Sequence, residues 1–243
     1  MSNVPRLILR KLTPTICVYP NPFKICEYWE INRRLAGQPE GTLLDLGCGG
    51  GLQTVLLSRK FRSTLGVDID DSQFSDASQR LHRWNRGRVR FVCGDLLGLG
   101  LPSESIDAVV SFSVLEHIAH WRQVLAEIFR LLKPGGQLVI SVDSLEGIED
   151  ASLVQTHREA YFVQHYFSEC ELEAVLRETG FRGVSVCPAF TSPLARQLFA
   201  RGIREDFKFS RAESVVDSLR LSLSERKPSG RSKSLFLIAD ATK

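Results

Sequence analysis

A glycine-dense stretch, residues 43–51, constrains the fold of this chain more than any other feature. It reads Leu-Leu-Asp-Leu-Gly-Cys-Gly-Gly-Gly, and apolar residues at helical spacing follow at Leu52, Val55 and Leu56. An apolar run, a glycine turn and a helical repeat in this order predict a strand, a tight loop and a helix. Because glycine tolerates conformations that crowd other residues, the loop can admit a ligand against bare backbone.

The rest of the chain continues this alternation of strand and helix. The predicted strands are residues 42–46, 64–67, 89–93, 106–111, 137–142, 183–187 and 235–239. The predicted helices are residues 24–36, 52–60, 72–85, 121–132 and 168–179, with two more between 189 and 227. Such alternation predicts an α/β fold: a Rossmann-like, doubly wound, mostly parallel seven-stranded sheet with helices on both faces.

The predicted organisation is a single domain over residues 1–243, without internal repeats. Residues 1–40 are expected to form an N-terminal cap segment in which Tyr28 and Trp29 pack rather than cover the site. Two segments interrupt the alternation, residues 143–167 and residues 189–233, and both are expected on the substrate side. The segment 227–233, rich in glycine, serine and lysine, is predicted to be a mobile loop.

Composition is that of an ordinary globular chain. The net charge of +3 over 243 residues is too weak to indicate nucleic acid or membrane as a partner. A basic cluster at residues 80–90 is interpreted as a solvated helix face, with a phosphate- or acid-binding patch as the alternative. The six cysteines form no C-x-x-C pair and no metal spacing, and no signal peptide or membrane-spanning stretch is visible. These observations predict a cytoplasmic protein with reduced thiols and no bound metal.

Polar residues stand where the predicted strands end. Asp45, Asp68, Asp95 and Ser111 each lie at the carboxyl end of a different strand, and the glycine loop follows the first of them. Ligands of open α/β sheets bind outside these ends, near the switch in strand order. The convergence predicts a binding site there.

The spacing of the loop glycines fits neither of two common nucleotide-binding loops. A dinucleotide fingerprint, G-x-G-x-x-G, requires a third glycine where this chain has Leu52. A Walker A loop is excluded because no Gly-Lys-Ser or Gly-Lys-Thr follows. The loop is therefore glycine-rich, but its glycines, at every second position, are spaced differently from those of either motif.

Acid-x-Gly-x-Gly-x-Gly after a first strand resembles motif I of the class I S-adenosylmethionine-dependent methyltransferases. Four further motifs continue the resemblance in order: Gly66-Val67-Asp68-Ile69, Gly94-Asp95-Leu96, residues 106–117 and Leu132-Lys133-Pro134-Gly135-Gly136. Asp68 lies 21 residues after Gly47. The similarity covers about residues 40–145, and residues 166–181 more weakly resemble the small-molecule members of the type 11 branch.

The resemblance implies S-adenosylmethionine as the cofactor and assigns its contacts. Asp45 would order the loop and the amino-acid end of the cofactor, and Asp68 would hold the ribose hydroxyls. The Asp95 carboxylate would accept from the adenine amine, and the Ser111 carbonyl would meet the methionine ammonium. The remaining implied cofactor-binding residues are Gly47, Cys48, Gly49, Gly51, Ile69 and Leu96. Cys48 is interpreted as a small residue filling a tight loop rather than as a nucleophile.

A general base is needed only when the acceptor must lose a proton, as a hydroxyl does. His117, just after the fourth strand, is the candidate catalytic base, although Glu116 and His117 are also read as a structural feature of the family. His157 and His165, with Tyr161 and Tyr166, form either a second candidate group or an aromatic lid.

The acceptor is expected to be a small molecule methylated on oxygen: a metabolite, a sugar or a lipid-linked intermediate. Nucleic acid is disfavoured because Ser111-Phe112-Ser113-Val114 replaces the Asn/Asp-Pro-Pro-Tyr/Phe pattern of base and glutamine methyltransferases. N- and C-methylation stay open, since fold and family do not determine the acceptor. Two other classes also remain: a catalytically silent cofactor-binding regulator and a nicotinamide-dependent oxidoreductase.

Overall fold

One seven-stranded sheet organises the chain. A computed structural model describes residues 20–74, 87–225 and 233–243. The strands are β1 (Gln38–Leu46), β2 (Phe61–Asp68), β3 (Val89–Cys93), β4 (Ile106–Phe112), β5 (Leu132–Asp143), β6 (Arg182–Ala189) and β7 (Phe236–Thr242). The predicted strands and fold class are confirmed, with ends that differ by a few residues.

Helices cover both faces of the sheet. They are α1 (Pro22–Arg34), α2 (Leu52–Leu57), α3 (Trp121–Leu131), α4 (Ala151–Ala160), α5 (Glu169–Thr179), α6 (Pro193–Arg204) and α7 (Arg211–Ser224). Short 3-10 turns lie at Ser58–Lys60, Asp71–Gln73, Leu96–Gly98 and Leu115–His117. Most of the helix predicted for residues 72–85 falls outside the described residues, as does most of the loop predicted for residues 227–233.

The strand order places a crevice at the middle of the sheet. The order is β3-β2-β1-β4-β5-β7-β6, and only β7 runs antiparallel to its neighbours. From β1 the chain first moves outward to β2 and β3, then returns to β4 on the other side of β1. The carboxyl ends of β1 and β4 therefore flank the switch point where doubly wound sheets bind ligands.

Three apolar clusters hold these layers together. On one face α3 and α5 pack through Trp121, Leu125 and Leu172, and on the other α1 and α2 pack around Leu43 and Val110. A third cluster surrounds Phe23, Phe199 and Phe236 beneath the segments predicted as insertions. The segments predicted as insertions thus have their own packed core.

Two boundary predictions are wrong for local reasons. Helix α1 starts at Pro22 rather than at residue 24, because Asn21 accepts from the backbone N–H of Phe23 at 2.9 Å and proline suits the first helical position. Strand β5 begins at Leu132, so the turn expected before it lies within the strand. Gly135, with φ of 77°, absorbs the register shift there.

Residues 143–167 contain a helix that the sequence did not reveal. The Asp150 side chain caps α4 by accepting from the backbone N–H groups of Ser152 at 3.0 Å and Leu153 at 3.4 Å. Within the described ranges, no helix has the length and apolar character needed to cross a bilayer. The described cysteines (Cys26, Cys48, Cys93, Cys170 and Cys187) are free thiols.

Candidate active site

The glycine loop leaves β1 through left-handed backbone. Gly47, Gly49 and Gly51 have φ of 69°, 50° and 72°, a region that other residues seldom adopt. A Cβ on Gly47 would lie 2.3 Å from Cγ2 of Val114, which follows β4. Two backbone bonds tie the loop to β2, because Gly47 N and Cys48 N both donate to the Val67 carbonyl. The loop is therefore a bare, tightly held backbone surface.

Asp45 is buried beneath this loop, with 1% of its surface exposed. Thr54 of α2 donates to Oδ2 of Asp45 at 2.6 Å, and Oδ1 has no hydrogen-bond partner within the described part of the chain. Burial raises the pKa of Asp45 to about 7, against the opposing effect of the Thr54 bond. A buried carboxyl group with one unused oxygen is suited to ordering the loop, and the role that the sequence implies for Asp45 stays a prediction.

Asp68 joins the end of β2 to the loop. Its Oδ2 accepts from Gly49 N at 2.7 Å and its Oδ1 from Asp70 N at 3.2 Å. The neighbouring Ile69 side chain is 79% exposed, an unusual position for a large apolar group. A fixed carboxylate beside an exposed apolar surface matches what the ribose and the purine of a nucleoside require.

The other predicted cofactor contacts occupy mixed positions. Asp95 caps a short turn, accepting from Leu97 N at 3.2 Å, while the Leu96 side chain is buried in the core. Ser111 is fully buried and donates to the Leu46 carbonyl at 3.0 Å. Cys48 is buried as well, and burial raises the pKa of its thiol, which disfavours the nucleophilic thiolate. Leu96, Ser111 and Cys48 thus have backbone groups, more than side chains, to offer a ligand.

A cavity of about 350 Å³ opens beyond the end of β4. Its polar side includes Lys24, Ser113, His117 and Asp143. Its apolar side is lined by Phe23, Phe199, Phe207 and Phe236, and the remaining lining residues are Asn21, His157, Tyr161 and Asp206. A concave, largely apolar site with a few convergent polar groups is typical of small-molecule binding.

Helix α1 supplies part of this cavity. The Phe23 ring meets Phe190 and Phe199 edge-on at centroid distances of 5.1 and 5.2 Å, and Phe236 tilted at 6.3 Å. This packing fixes the first turn of α1 against α6 and the start of β7, and Lys24 in that turn lines the cavity. Tyr28, in contrast, packs into the core under β1, as the sequence predicted.

A buried acid balances Lys24. The Lys24 ammonium lies 2.9 Å from Oε2 of Glu27, which is completely buried. Oε1 of Glu27 accepts from the Ser113 hydroxyl at 2.7 Å and also from the Ser141 hydroxyl. Burial lowers the pKa of Lys24, but the attraction of Glu27 and of other nearby acids outweighs it and leaves the pKa raised. Lys24 is therefore a charged group with an internal partner.

Two further acids lie beneath the polar side. Oε1 of Glu116 accepts from the Asp143 backbone N–H at 3.2 Å, and Oε2 has no hydrogen-bond partner in the described ranges. Burial raises the pKa of Glu116 well above its usual value. It also raises the pKa of Asp143 to about 7, where nearby Lys24 acts in the opposite direction. The pair retains a proton near neutral pH.

Two histidines line the cavity in neutral form. Burial, followed by the charge of Lys24, lowers the pKa of His117, while the carbonyls of Tyr161 and Phe162 raise it. Burial lowers the pKa of His157 to about 4. Nδ1 of His157 lies 3.0 Å from the Tyr166 hydroxyl, and Nε2 lies 3.8 Å from Oδ2 of Asp143. Neutral imidazoles can accept a proton from a ligand.

His165, the other histidine of the insert, serves the core instead. Its Nε2 lies 2.9 Å from Oε2 of Glu171, and its ring stacks on Trp121 at 5.4 Å. Of the residues that the sequence brought together in this segment, His157 and Tyr161 therefore line the cavity, whereas His165 braces α5 against α3.

Strained backbone collects around the cavity. Three lining residues other than glycine have positive φ: Ser113 at 51°, Asp206 at 53° and Phe207 at 48°. Phe162 and Phe190, next to the cavity wall, adopt 54° and 59°. Each such residue costs of order 1–3 kcal/mol and persists where the surrounding structure overdetermines it, often at a ligand site.

Sequence reasoning missed Phe23, Lys24, Asp143 and Asp206 as site residues. The signals were slight: Asn21-Pro22 marks a helix start, and Lys24 precedes Glu27 by one helical turn. Asp143 ends β5, so it follows the same rule as the acids at the ends of β1 and β2. Asp206 lies in an irregular connection and carries no pattern.

Comparison with known sequences finds similarity to a methyltransferase family over the centre of the chain. Residues 44–140 match the sequence profile described as a methyltransferase domain, type 11. A probable S-adenosylmethionine-dependent methyltransferase of Mycolicibacterium smegmatis is 34% identical over 114 residues, covering 47% of this chain and 41% of that protein. An O-methyltransferase of Pyrenophora dematioidea is 28% identical over 156 residues, covering 63% and 58%. The chain thus spans about half the length of the curated relatives it matches.

Solved structures reproduce the fold. Phosphoethanolamine N-methyltransferase 2 of Haemonchus contortus, in complex with S-adenosyl-L-methionine, has a TM-score of 0.66 at 21% identity, covering 89% of this chain and 52% of that one. Geranyl diphosphate C-methyltransferase of Streptomyces coelicolor has a TM-score of 0.64 at 17% identity, covering 88% and 77%. At these identities the likeness concerns the fold alone. The names of the Mycolicibacterium smegmatis relative and of the Haemonchus contortus structure both include S-adenosylmethionine, the cofactor expected from the sequence.

Proposed function

We propose that the protein transfers the methyl group of S-adenosylmethionine to a small molecule, because residues 44–140 match the profile of a methyltransferase domain. The proposal extends to the acceptor atom, an oxygen. A metabolite, a sugar or a lipid-linked intermediate is a suitable carrier of that hydroxyl.

The residues around the loop fit this cofactor. The unused oxygen of buried Asp45 and the bare backbone of Gly47 and Gly49 suit the amino-acid end. The Asp68 carboxylate, held by two backbone N–H groups, suits the ribose, and exposed Ile69 offers an apolar surface to adenine. The cofactor supplies an activated methyl group on a sulfonium. The protein has to orient the acceptor toward that group.

One observation carries the choice of oxygen: a neutral histidine lines the acceptor cavity. His117 ends the short turn Leu115–His117 that follows β4, and its lowered pKa keeps the imidazole unprotonated near neutral pH. A hydroxyl acceptor loses its proton as the new bond forms, and a nearby imidazole can accept it. Val114, three residues before His117, is the neighbour that any side chain on Gly47 would meet, so the base and the loop belong to one region.

The cavity also favours an enzyme over a silent cofactor-binding relative. A regulator needs no second compartment, whereas this chain builds one from α1, α4 and α6 together with the ends of β4, β5 and β7. The strained residues along its wall indicate a shape maintained against a local energetic cost.

The decisive experiment is transfer of a labelled methyl group. Purified protein is incubated with methyl-tritiated S-adenosylmethionine and a panel of small hydroxyl, amine and carbon acceptors, and products are identified by mass spectrometry. We expect label on a hydroxyl oxygen, and S-adenosylhomocysteine as the second product. Binding of S-adenosylhomocysteine without transfer to any acceptor would favour the silent relative. Binding of NAD in its place would favour an oxidoreductase.

A further inference from the structure

The acceptor cavity contains more buried acid than base. Glu27 and Glu116 are fully buried beneath it, and Asp143, with 4% of its surface exposed, forms part of its wall. Lys24 is the cation that faces them, and the two histidines of the wall are neutral. Because an unpaired buried charge is costly, a surplus of carboxyl groups in such a place calls for a compensating partner.

The hydrogen bonds show which acid is left over. Glu27 is fully engaged, with Lys24 at 2.9 Å and the hydroxyls of Ser113 and Ser141. Glu116 accepts from the backbone N–H of Asp143 at 3.2 Å, and burial raises its pKa well above the usual value, so it holds a proton near neutral pH. Asp143 itself is one of the residues that line the cavity. Nε2 of His157 lies 3.8 Å from its Oδ2, beyond hydrogen-bond length, and the charge of Lys24, which is paired with Glu27, acts on it from farther away.

Aromatic rings line the same cavity as Asp143. The Tyr161, Phe199 and Phe207 rings surround His157 at centroid distances of 4.9, 5.5 and 6.4 Å. Such rings attract an ammonium group electrostatically, and the two phenylalanine rings present no donor to a carboxylate. At the outer rim Tyr161 donates to Oδ1 of Asp206 at 2.9 Å, which adds a second negative charge, although Lys208 lies 3.5 Å from that carboxylate.

We propose that the acceptor carries a protonated amine, which the Asp143 carboxylate and the aromatic wall hold while a separate hydroxyl is methylated. The inference rests on the proposed function and narrows its substrate class to cationic amines. An ammonium paired with a carboxylate keeps its proton and therefore has no lone pair for methyl transfer. The amine anchors the acceptor, and the hydroxyl reacts.

The geometry predicts a charge preference that a ligand series can measure. Tyramine, tyrosol and 3-(4-hydroxyphenyl)propanoate share a phenol ring and a two-carbon arm, which ends in an ammonium, a hydroxyl and a carboxylate respectively. Isothermal titration calorimetry of each ligand at pH 7.5, with and without saturating S-adenosylhomocysteine, gives the affinity. We expect tyramine to bind at least about ten-fold more tightly than tyrosol, and the carboxylate ligand most weakly.

Two substitutions assign the preference to a position. Asp143→Asn is expected to bring tyramine and tyrosol within about two-fold of each other, because the amide retains the shape and removes the charge. Glu205→Gln, which removes an exposed carboxylate 3.3 Å from Arg201 and outside the cavity lining, is expected to retain the preference. Binding of S-adenosylhomocysteine, which depends on the ends of β1 and β2, shows that each variant is folded.

Several results would overturn the inference. Equal binding of tyramine and tyrosol to the unsubstituted protein would do so, and so would tighter binding of the carboxylate ligand or no binding of tyramine at millimolar concentration. An unchanged preference in Asp143→Asn would reject that residue as the anchor. Failure of S-adenosylhomocysteine to bind, in contrast, would reject the proposed function. The titrations without it would still report whether the cavity prefers an amine.

Discussion

The backbone N–H of Gly49 donates to Oδ2 of Asp68 at 2.7 Å, so the acid at the end of β2 is bound to the loop at the end of β1. The second oxygen of the same carboxylate accepts from Asp70 N at 3.2 Å. Asp68 is thereby fixed in orientation before any ligand arrives. Preorganisation of this kind lowers the entropic cost of binding.

Substitution of Asp68 should separate its two tasks. Asp68→Ala removes both the loop contact and the acceptor for ribose, and we expect affinity for S-adenosylhomocysteine to fall at least about 30-fold, roughly 2 kcal/mol. In Asp68→Asn the amide oxygen can still accept from Gly49 N, so a smaller loss is expected. Calorimetric titration measures both. Glu40→Ala, which removes a strongly exposed carboxylate 3.4 Å from Arg62, serves as the control. Equal affinity in Asp68→Ala and the unsubstituted protein would refute the ribose assignment.

Among substitutions that add one methyl group to the loop, Gly47→Ala should lower the stability of the fold most. The new Cβ meets Val114 at 2.3 Å, and φ of 69° is itself unfavourable for alanine. Strain of about 1–2 kcal/mol from φ and a further 1–3 kcal/mol from crowding are expected in the free energy of unfolding. Urea denaturation provides the measurement.

Gly135→Ala separates these two contributions. Gly135 has φ of 77° but open space around its Cβ position, so only the backbone strain applies. Equal destabilisation by the two substitutions would mean that the loop moves away from Val114 at no cost.

The protonation state of His117 should govern the acidic limb of activity. Its pKa is lowered by burial and by Lys24, so kcat/KM is expected to rise with pH through a value below 6.5 and to level off by neutrality. His117→Ala should lower kcat at least about 100-fold on a hydroxyl acceptor and leave binding of S-adenosylhomocysteine unchanged. Full turnover by this variant would eliminate His117 as the base.

His157 should make the protein less stable in mild acid. Its pKa is about 4 in the folded chain and near 6.5 when unfolded, so the unfolded state binds more protons between these values. The contribution of His157 to the free energy of unfolding is therefore complete above about pH 6.5 and declines as the pH falls toward 4. The variant His157→Gln has no titrating group at this position and lacks this pH-dependent contribution.

Urea denaturation at two pH values tests this contribution. The stability difference between the unsubstituted protein and His157→Gln should be about 2 kcal/mol larger at pH 7.5 than at pH 5. Asp45 and Asp143, whose raised pKa values act in the opposite direction with pH, are present in both proteins and cancel to a first approximation. A difference that does not change with pH would mean that His157 is freely solvated.

The sequence predicted the half of the molecule that rests on local patterns. The run into Asp45, the left-handed glycines and the acid at Asp68 follow strand periodicity and backbone sterics, and the structure has each of them at the expected strand end. The acceptor side depends on distant pairs instead. Phe23 contacts Phe199 and Phe236, which lie far from it in the sequence. Neither residue spacing nor composition predicts such contacts, because they depend on how the sheet brings these segments together.

The contrast between local patterns and distant contacts also explains why some predicted site residues lie in positions that the sequence did not predict. Ser111 and Leu96 belong to motifs, yet packing buries their side chains, because a motif specifies backbone position more than exposure. His165 and His157 looked equivalent in the sequence. Their separation depends on the start and end of α4, which turns His157 toward Tyr166 and leaves His165 against Trp121.

Strand β7 lies between β5 and β6 rather than at an edge, and its first residue, Phe236, forms part of the cavity wall. The backbone N–H groups of Ser144 and Leu145 both donate to the Leu235 carbonyl just before it. The segment that follows β5 is thus anchored by residues synthesised almost a hundred positions later. A ribosome-bound chain can pair strands β1 to β4 well before this, so the cavity wall at Phe236 forms later in synthesis than the glycine loop.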